Sequence, residues 1–138
     1  MSAALSTPAF LEPSDVRPHK GLRILVVEDE ALIALMLKET LIGAGHTVVG
    51  PFSNAERAIE ALACEQVDAA VLDLVVQEEN GVSVPPVLVR RGIPFLIVTG
   101  APDDAIPQEL RGRPVLSKPF GVQELVAAIE ALVTAPKF

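Results

Sequence analysis

Short apolar runs alternate with longer amphipathic stretches along the chain. The runs are Leu22–Val27, Thr47–Gly50, Val67–Leu72, Ile93–Val98 and Val115–Leu116. Short runs that are mostly apolar are typical of strands in a parallel sheet that is covered on both faces. The alternation therefore predicts an α/β domain in which right-handed crossovers carry helices to both faces of the sheet.

The segments between the runs carry helical signals of unequal strength. Four of them predict helices, at Glu30–Ile42, Ala55–Cys64, Pro85–Arg91 and Gly121–Thr134. The fifth segment, Gly100–Pro114, is interrupted by prolines and glycines that leave room for one or two helical turns. We therefore expect five strands and five helices, of which the fourth helix is short or irregular.

The first predicted helix carries more apolar side chains than one helix face can hold. They are Leu32, Ile33, Leu35, Met36, Leu37, Leu41 and Ile42. We interpret this composition as a helix that is packed deeply in the fold. The alternative is a helix that offers part of its apolar surface to a partner.

Reactive side chains follow four of the apolar runs. Glu28 and Asp29 follow the first run, Asp73 the third, Thr99 the fourth and Lys118 the fifth. Ligands in open α/β sheets bind beyond the carboxyl ends of the strands. If the first and third strands are neighbours, the three acids converge, and a divalent cation would relieve their repulsion. Oxygen ligands without His or Cys favour Mg²⁺.

These residue types suit phosphoryl transfer. Asp73 could act as a nucleophile on phosphorus and form an aspartyl phosphate. The charge on the phosphoryl oxygens could then be shared among the metal, the Lys118 ammonium and the Thr99 hydroxyl or a backbone N–H. Each residue also has an ordinary explanation, as a helix cap, a solvated turn or β-strand composition. Their common placement at strand ends favours the functional interpretation.

Composition excludes several classes of function. The net charge of −7 and the absence of Trp and Tyr argue against nucleic-acid binding. No apolar run reaches the ~20 residues of a transmembrane helix. Met1–Lys20 has neither the basic start nor the apolar block of a signal peptide, and Cys64 is the only cysteine, so we expect a cytoplasmic protein. We expect residues 1–20 to be a flexible tail ahead of one domain over residues 21–138.

The motifs resemble the receiver domain of two-component response regulators, which has a flavodoxin-like fold with strand order 2-1-3-4-5. The resemblance rests on Glu28-Asp29-Glu30, Leu72-Asp73-Leu74, Thr99-Gly100 and Lys118-Pro119-Phe120, and it extends from about Gly21 to Val133. It implies that Asp73 is the phosphoacceptor. It also implies that Thr99 is the switch hydroxyl and Lys118 the phosphate partner, aimed by a cis bond before Pro119.

The resemblance further implies a metal site and partners. Asp29 and Asp73 would bind Mg²⁺ directly, Glu28 through water, and Val75 through its backbone carbonyl. A sensor histidine kinase or a histidine phosphotransfer protein would supply the phosphoryl group. We expect a single-domain regulator, not an enzyme, that signals to a protein target and that could form a homodimer.

Three departures from the commonest receiver pattern are visible. Gln77 stands where most members have Pro, Val115 stands where most have an aromatic residue, and the interval between Thr99 and Lys118 is short. The sequence is similar here to a variant group with a Phe-Ala-Thr-Gly-type motif, often stand-alone regulators in bacterial stress pathways. We therefore expect Gly100–Pro114 to be the part that moves on phosphorylation.

Two other functions fit part of the pattern. A phosphohydrolase of the haloacid-dehalogenase type also uses Asp, Thr or Ser, and Lys at strand ends, but it needs a second Asp where this chain has Val75. A pseudo-receiver would bind partners without phosphorylation. The presence of Asp73, Thr99 and Lys118 argues against that second alternative.

Overall fold

The computed structural model describes residues 21–76, 78–79, 82–100 and 106–134. The strands are β1 Arg23–Val27, β2 Thr47–Phe52, β3 Ala69–Asp73, β4 Glu78–Glu79, β5 Val82–Ser83, β6 Phe95–Thr99 and β7 Val115–Ser117. The α-helices are α1 Ala31–Gly43, α2 Ala55–Cys64, α3 Val84–Arg90 and α4 Val122–Thr134, and 3-10 turns span Leu74–Val76 and Gln108–Leu110. Within these ranges no helix has the length and apolar character needed to cross a membrane. The predicted tail, residues 1–20, lies outside the described part of the chain.

Five of the strands form one parallel sheet in the order β2-β1-β3-β6-β7. Counted over these five strands, the order is 2-1-3-4-5, so the predicted flavodoxin-like α/β fold is confirmed. Leu72 of β3 lies beside Val27 of β1 and beside Ile97 of β6. Strand β3 extends one residue beyond the predicted end, which makes Asp73 its last residue. The first and third strands are therefore neighbours, as the expected site requires.

Alternation along the strands divides the core into two layers. Leu25 and Phe95 face a layer that contains residues of α2 and α3, whereas Ile24 and Leu96 face a layer that contains residues of α1 and α4. Successive side chains of a strand point to opposite faces, so a strand buried on both sides must be apolar throughout. This requirement explains the apolar stretches Ile24–Val27, Ala69–Leu72 and Phe95–Val98, which are buried.

The connection between β6 and β7 contains little regular structure in its described part. Gln108–Leu110 forms one 3-10 turn, and Ile106 and Leu110 are buried against the layer that contains α2 and α3. The short, irregular fourth helix expected from the sequence is thus confirmed for residues 106–114. The expected movement of Gly100–Pro114 stays a prediction, and residues 101–105 lie outside the described ranges.

Helix α1 differs from its expected packing. Leu37 and Leu41 are buried, but Leu32, Leu35 and Ile42 are exposed, and Leu32 retains 82% of its accessible surface. The prediction of a deeply packed helix is therefore wrong for this part of its surface. Composition alone could not show it, because the sheet covers only one side of the helix.

Strands β4 and β5 form a small antiparallel pair that is not among the five predicted strands. The Asn80-Gly81 dipeptide between them is a typical hairpin signal. The flanking segments are only two residues each, which is too short for the alternation that identifies a strand. The Asn80-Gly81 dipeptide is therefore the sequence feature that indicates this pair of strands.

Gly50 provides a test of the β1–β2 junction. Its φ is +106°, and a Cβ at this position would lie 2.8 Å from the Phe52 nitrogen and 3.0 Å from the Val26 carbonyl oxygen. Because both are backbone atoms, Gly50→Ala should lower the free energy of unfolding by about 1–3 kcal/mol. Gly43→Ala, where a Cβ meets nothing within 4 Å, should be neutral or stabilising. Urea denaturation of both variants measures the difference, and equal stabilities would contradict this account.

Candidate functional site

The carboxyl edge of the sheet collects the side chains that the sequence singled out. Glu28 and Asp29 follow β1 directly, Asp73 ends β3, Thr99 ends β6, and Lys118 follows β7. The Lys118 backbone N–H donates to the Thr99 carbonyl oxygen at 2.8 Å, so the two residues lie side by side where β6 and β7 end. The predicted placement of these residues at one edge therefore agrees with the structure.

Three carboxylates converge at the centre of this edge. One oxygen from each of Glu28, Asp29 and Asp73 lies within 4.8 Å of the others. Glu28 and Asp73 are almost fully buried, at 2% and 3% exposure, whereas Asp29 is exposed. The cluster arises because β1 and β3 are paired and both deliver an acid as they end. Water therefore reaches the group from the Asp29 side.

Lys118 is in contact with the buried pair of acids. Its Nζ lies 3.1 Å from Glu28 Oε1, 3.2 Å from Glu30 Oε1 and 3.5 Å from Asp73 Oδ2. The Lys118–Pro119 peptide bond is cis, as the family resemblance implied. The lysine side chain is only 15% exposed, so its charge acts in a poorly solvated environment, where electrostatic interactions are stronger than in water.

Burial raises the pKa of Glu28 to about 7 from its usual 4.5. A hydrogen bond from the Glu30 backbone N–H to Glu28 Oε2 opposes this rise, a side-chain hydrogen bond with Asp73 and its negative charge add to it, and the Lys118 hydrogen bond opposes it. Burial lowers the pKa of Lys118, but its carboxylate contacts outweigh that effect, so the lysine pKa is raised. The lysine therefore stays charged while Glu28 is poorly stabilised as an anion.

Val75 lies beside the cluster, in the 3-10 turn after β3. Its backbone N–H donates to Asp73 Oδ1 at 3.2 Å, which fixes one oxygen of the carboxylate. Its side chain is 76% exposed and faces away from the core. The expected role of its carbonyl as a metal ligand stays a prediction.

The residues present fit a hard divalent cation. Glu28 Oε1 is buried and makes no hydrogen bond, although Lys118 Nζ is near it. Leaving a buried carboxylate oxygen without a hydrogen bond is unfavourable, and a cation would correct this. The donors of the cluster are all oxygens, which suits Mg²⁺. Glu28, Asp29 and Asp73 are the side chains that would hold it.

Glu30 is the site residue to which the sequence interpretation assigned no role. Its side-chain carboxylate meets Lys118, which lies 88 residues later in the chain. An acid at the start of a helix is usually explained by its interaction with the helix dipole. That explanation gave no reason to expect a contact between Glu30 and Lys118. The signal that could have found it is the run Glu28-Asp29-Glu30, whose third acid is also placed at the sheet edge.

Comparison with known proteins identifies the family. The family model described as the response regulator receiver domain matches residues 24–130. The chain belongs to the response regulator receiver family. The fold, with its buried acids and lysine at the carboxyl edge of the sheet, is therefore a receiver fold.

Among curated proteins, the receiver is similar to the transcriptional regulatory proteins PdtaR and TcrA of Mycobacterium tuberculosis. The identities are 27% over 116 residues and 37% over 117 residues, and both matches cover 81% of this chain. They cover 57% of PdtaR and 46% of TcrA, so the chain spans about half the length of these relatives.

Among solved structures, the receiver is similar to SdrG from Sphingomonas melonis Fr1. The identity is 38% and the TM-score 0.68, over 82% of this chain and 97% of that one. The response regulator PhyR from Brucella abortus is 25% identical with a TM-score of 0.71, over 85% of this chain and 49% of PhyR.

The raised pKa of Glu28 predicts how the stability of the metal-free receiver depends on pH. Since the folded pKa lies above the unfolded one, the stability associated with the protonated carboxyl is present below pH 4.5 and is lost as the pH rises towards about 7. Glu28→Gln should therefore raise the Tm relative to wild type more at pH 8 than at pH 4.5, by on the order of 5 °C.

Thermal unfolding in the presence of EDTA measures this difference. The exposed acid Glu39 of α1 supplies the control, because Glu39→Gln removes one negative charge outside the cluster. If Glu28→Gln changes the Tm equally at both pH values, the fold does not disfavour the charged form of Glu28.

Proposed function

We propose that this receiver accepts a phosphoryl group on Asp73 from a sensor histidine kinase or a histidine phosphotransfer protein and signals by protein–protein interaction. The observation that carries the proposal is the contact of a buried aspartate at the end of the central strand with Lys118, 3.5 Å away, beside two further acids. A structural ion pair would not need the additional carboxylates. A phosphoryl site that holds Mg²⁺ does need them.

Asp73 is the nucleophile in this proposal. A carboxylate oxygen attacks phosphorus while the bond between phosphorus and the donor's imidazole nitrogen breaks, and the nitrogen keeps the electron pair. The Val75 N–H orients the Asp73 carboxylate through Oδ1. Lys118 and the hydroxyl of Thr99 would then contact the phosphoryl oxygens. When bound, Mg²⁺ would offset the negative charge that this transfer brings into the cluster.

Three carboxylates and a phosphoryl group could not share this edge without compensating charge. Asp29 and Asp73 are the expected direct side-chain ligands, with the Val75 carbonyl as the third protein ligand, and Glu28 would act through water. Burial disfavours the charged form of Glu28 in the free protein. A bound cation would stabilise that charged form. Lys118, which remains positively charged, supplies the second compensating charge.

The exposed apolar side chains of α1 support a docking role for that helix. Leu32 and Leu35 are exposed and lie within the first turns after Glu30, close to the acid cluster. Leu35 lines a cavity of about 400 Å³ together with Asp29 and Phe52. We infer that the phosphodonor binds here, because a donor imidazole must come within bonding distance of Asp73. In this proposal, the surface of α1 that the sheet does not cover is the docking surface for the phosphodonor.

The output side stays a prediction. Thr99 precedes the irregular β6–β7 connection, and contact of its hydroxyl with a phosphoryl group would change the surface formed by that connection, β7 and α4. The match covers 97% of the solved SdrG chain, whereas PdtaR and TcrA extend well beyond the matched region. Single-domain organisation, a homodimer, the protein target and a cytoplasmic location belong to this proposal.

A phosphohydrolase function is disfavoured by the residue two positions after Asp73. The haloacid-dehalogenase mechanism needs a general acid there, and Val75 has an exposed aliphatic side chain. Without that acid, protonation of a leaving alcohol would lack a donor at this position. Turnover of a generic phosphatase substrate by the wild-type protein would contradict the receiver proposal.

Phosphorylation by a small phosphodonor tests the proposal. After incubation with acetyl phosphate and Mg²⁺, intact-mass spectrometry should show one added phosphoryl group on wild type and none on Asp73→Asn. Asp68→Asn is the matched control, because Asp68 immediately precedes β3 at the end opposite Asp73, where its side chain accepts a hydrogen bond from the Arg23 backbone N–H. Equal labelling of wild type and Asp73→Asn would overturn the assignment, as would the absence of label on wild type.

A further inference from the structure

Glu30 occupies the N-cap position of α1 but does not act as a side-chain cap. Its φ and ψ are −85° and 115°, and its side chain makes no capping hydrogen bond. Only its backbone carbonyl continues the helix, by accepting from the Ala34 N–H at 2.8 Å. The carboxylate instead extends to Lys118 Nζ, at 3.2 Å. The helix therefore does not explain where this side chain lies.

Glu30 competes with Asp73 for the lysine. The ammonium of Lys118 donates hydrogen bonds to Glu28 and Glu30, whereas Asp73 Oδ2 lies farther away, at 3.5 Å. Glu28 is buried, whereas the Glu30 side chain is 61% exposed. The Glu30 side chain can therefore move away from Lys118 without disturbing the core. Among these three partners of Lys118, Glu30 is therefore the one whose contact can be given up most easily.

We propose that Glu30 is a positioning residue, one that restrains Lys118 in the unphosphorylated state and so sets how readily the site engages a phosphoryl group. This inference rests on the proposed receiver function. Lys118 must turn towards the oxygens on Asp73 when they arrive, and the Glu30 contact must then weaken. A contact made in only one of two states stabilises that state relative to the other.

The size of the effect follows from exposure. Ion pairs with one solvated partner are screened and contribute little, so removing this one should shift the equilibrium by about threefold. Because the contact stabilises the free state, its loss should tighten binding of a phosphoryl mimic. The Tm of the free protein should change little, since Glu30 fills no space in the core.

Beryllofluoride titration in excess Mg²⁺, followed by NMR, tests the proposal. Glu30→Gln should bind the mimic about threefold more tightly than wild type. Removing any nearby negative charge would also favour an anionic ligand, so a variant that keeps the charge is needed. Glu30→Asp keeps it but is one methylene shorter, and Asp at an N-cap position favours bonding to its own helix.

Glu30→Asp should therefore resemble Glu30→Gln if the contact with Lys118 matters, and should resemble wild type if only the local charge matters. Glu39→Gln, on the exposed side of the same helix, should have wild-type affinity. Wild-type affinity in both Glu30 variants, or in Glu30→Asp alone, would overturn the positioning role. Failure of the wild-type protein to bind the mimic would instead count against the receiver function itself.

Discussion

The site depends on the cost of holding carboxylates together where water is scarce. Glu28 and Asp73 are buried at the end of a parallel sheet, and their mutual repulsion is only partly relieved by Lys118. Burial makes each charge more costly, because the charged form loses its hydration. The cluster is therefore poised to accept a further positive charge, and its buried, unbonded Glu28 oxygen is the clearest sign of that.

The fold creates this situation through strand order. Because β1 and β3 pair in parallel and end at the same level, an acid that follows one strand must meet the acid that ends the other. The next pair, β6 and β7, brings Thr99 and Lys118 to the same edge. The apolar strands that fix these positions are buried on both faces. The backbone that carries the site residues is therefore held in place by packing from both sides.

The sequence predicted the sheet and the side chains that meet at its carboxyl edge because both depend on local patterns. Mostly apolar runs identified the strands, and the reactive residues that follow four of the runs identified the edge. The exposure of Leu32 and the contact between Glu30 and Lys118 could not be predicted, because they depend on how far the sheet covers α1 and on where a loop 88 residues later returns. The roles of Asp73, Thr99 and Lys118 stay predictions that the geometry supports.

The phosphoacceptor assignment is tested most directly by locating the phosphoryl group in the wild-type protein. Borohydride reduces an aspartyl phosphate to homoserine, so treatment after incubation with acetyl phosphate and Mg²⁺ marks the acceptor permanently. Peptide mapping by tandem mass spectrometry should find homoserine at position 73, while Asp29 and Asp68 remain unmodified. Homoserine at another aspartate, or none at position 73, would contradict the assignment of Asp73 as the phosphoacceptor.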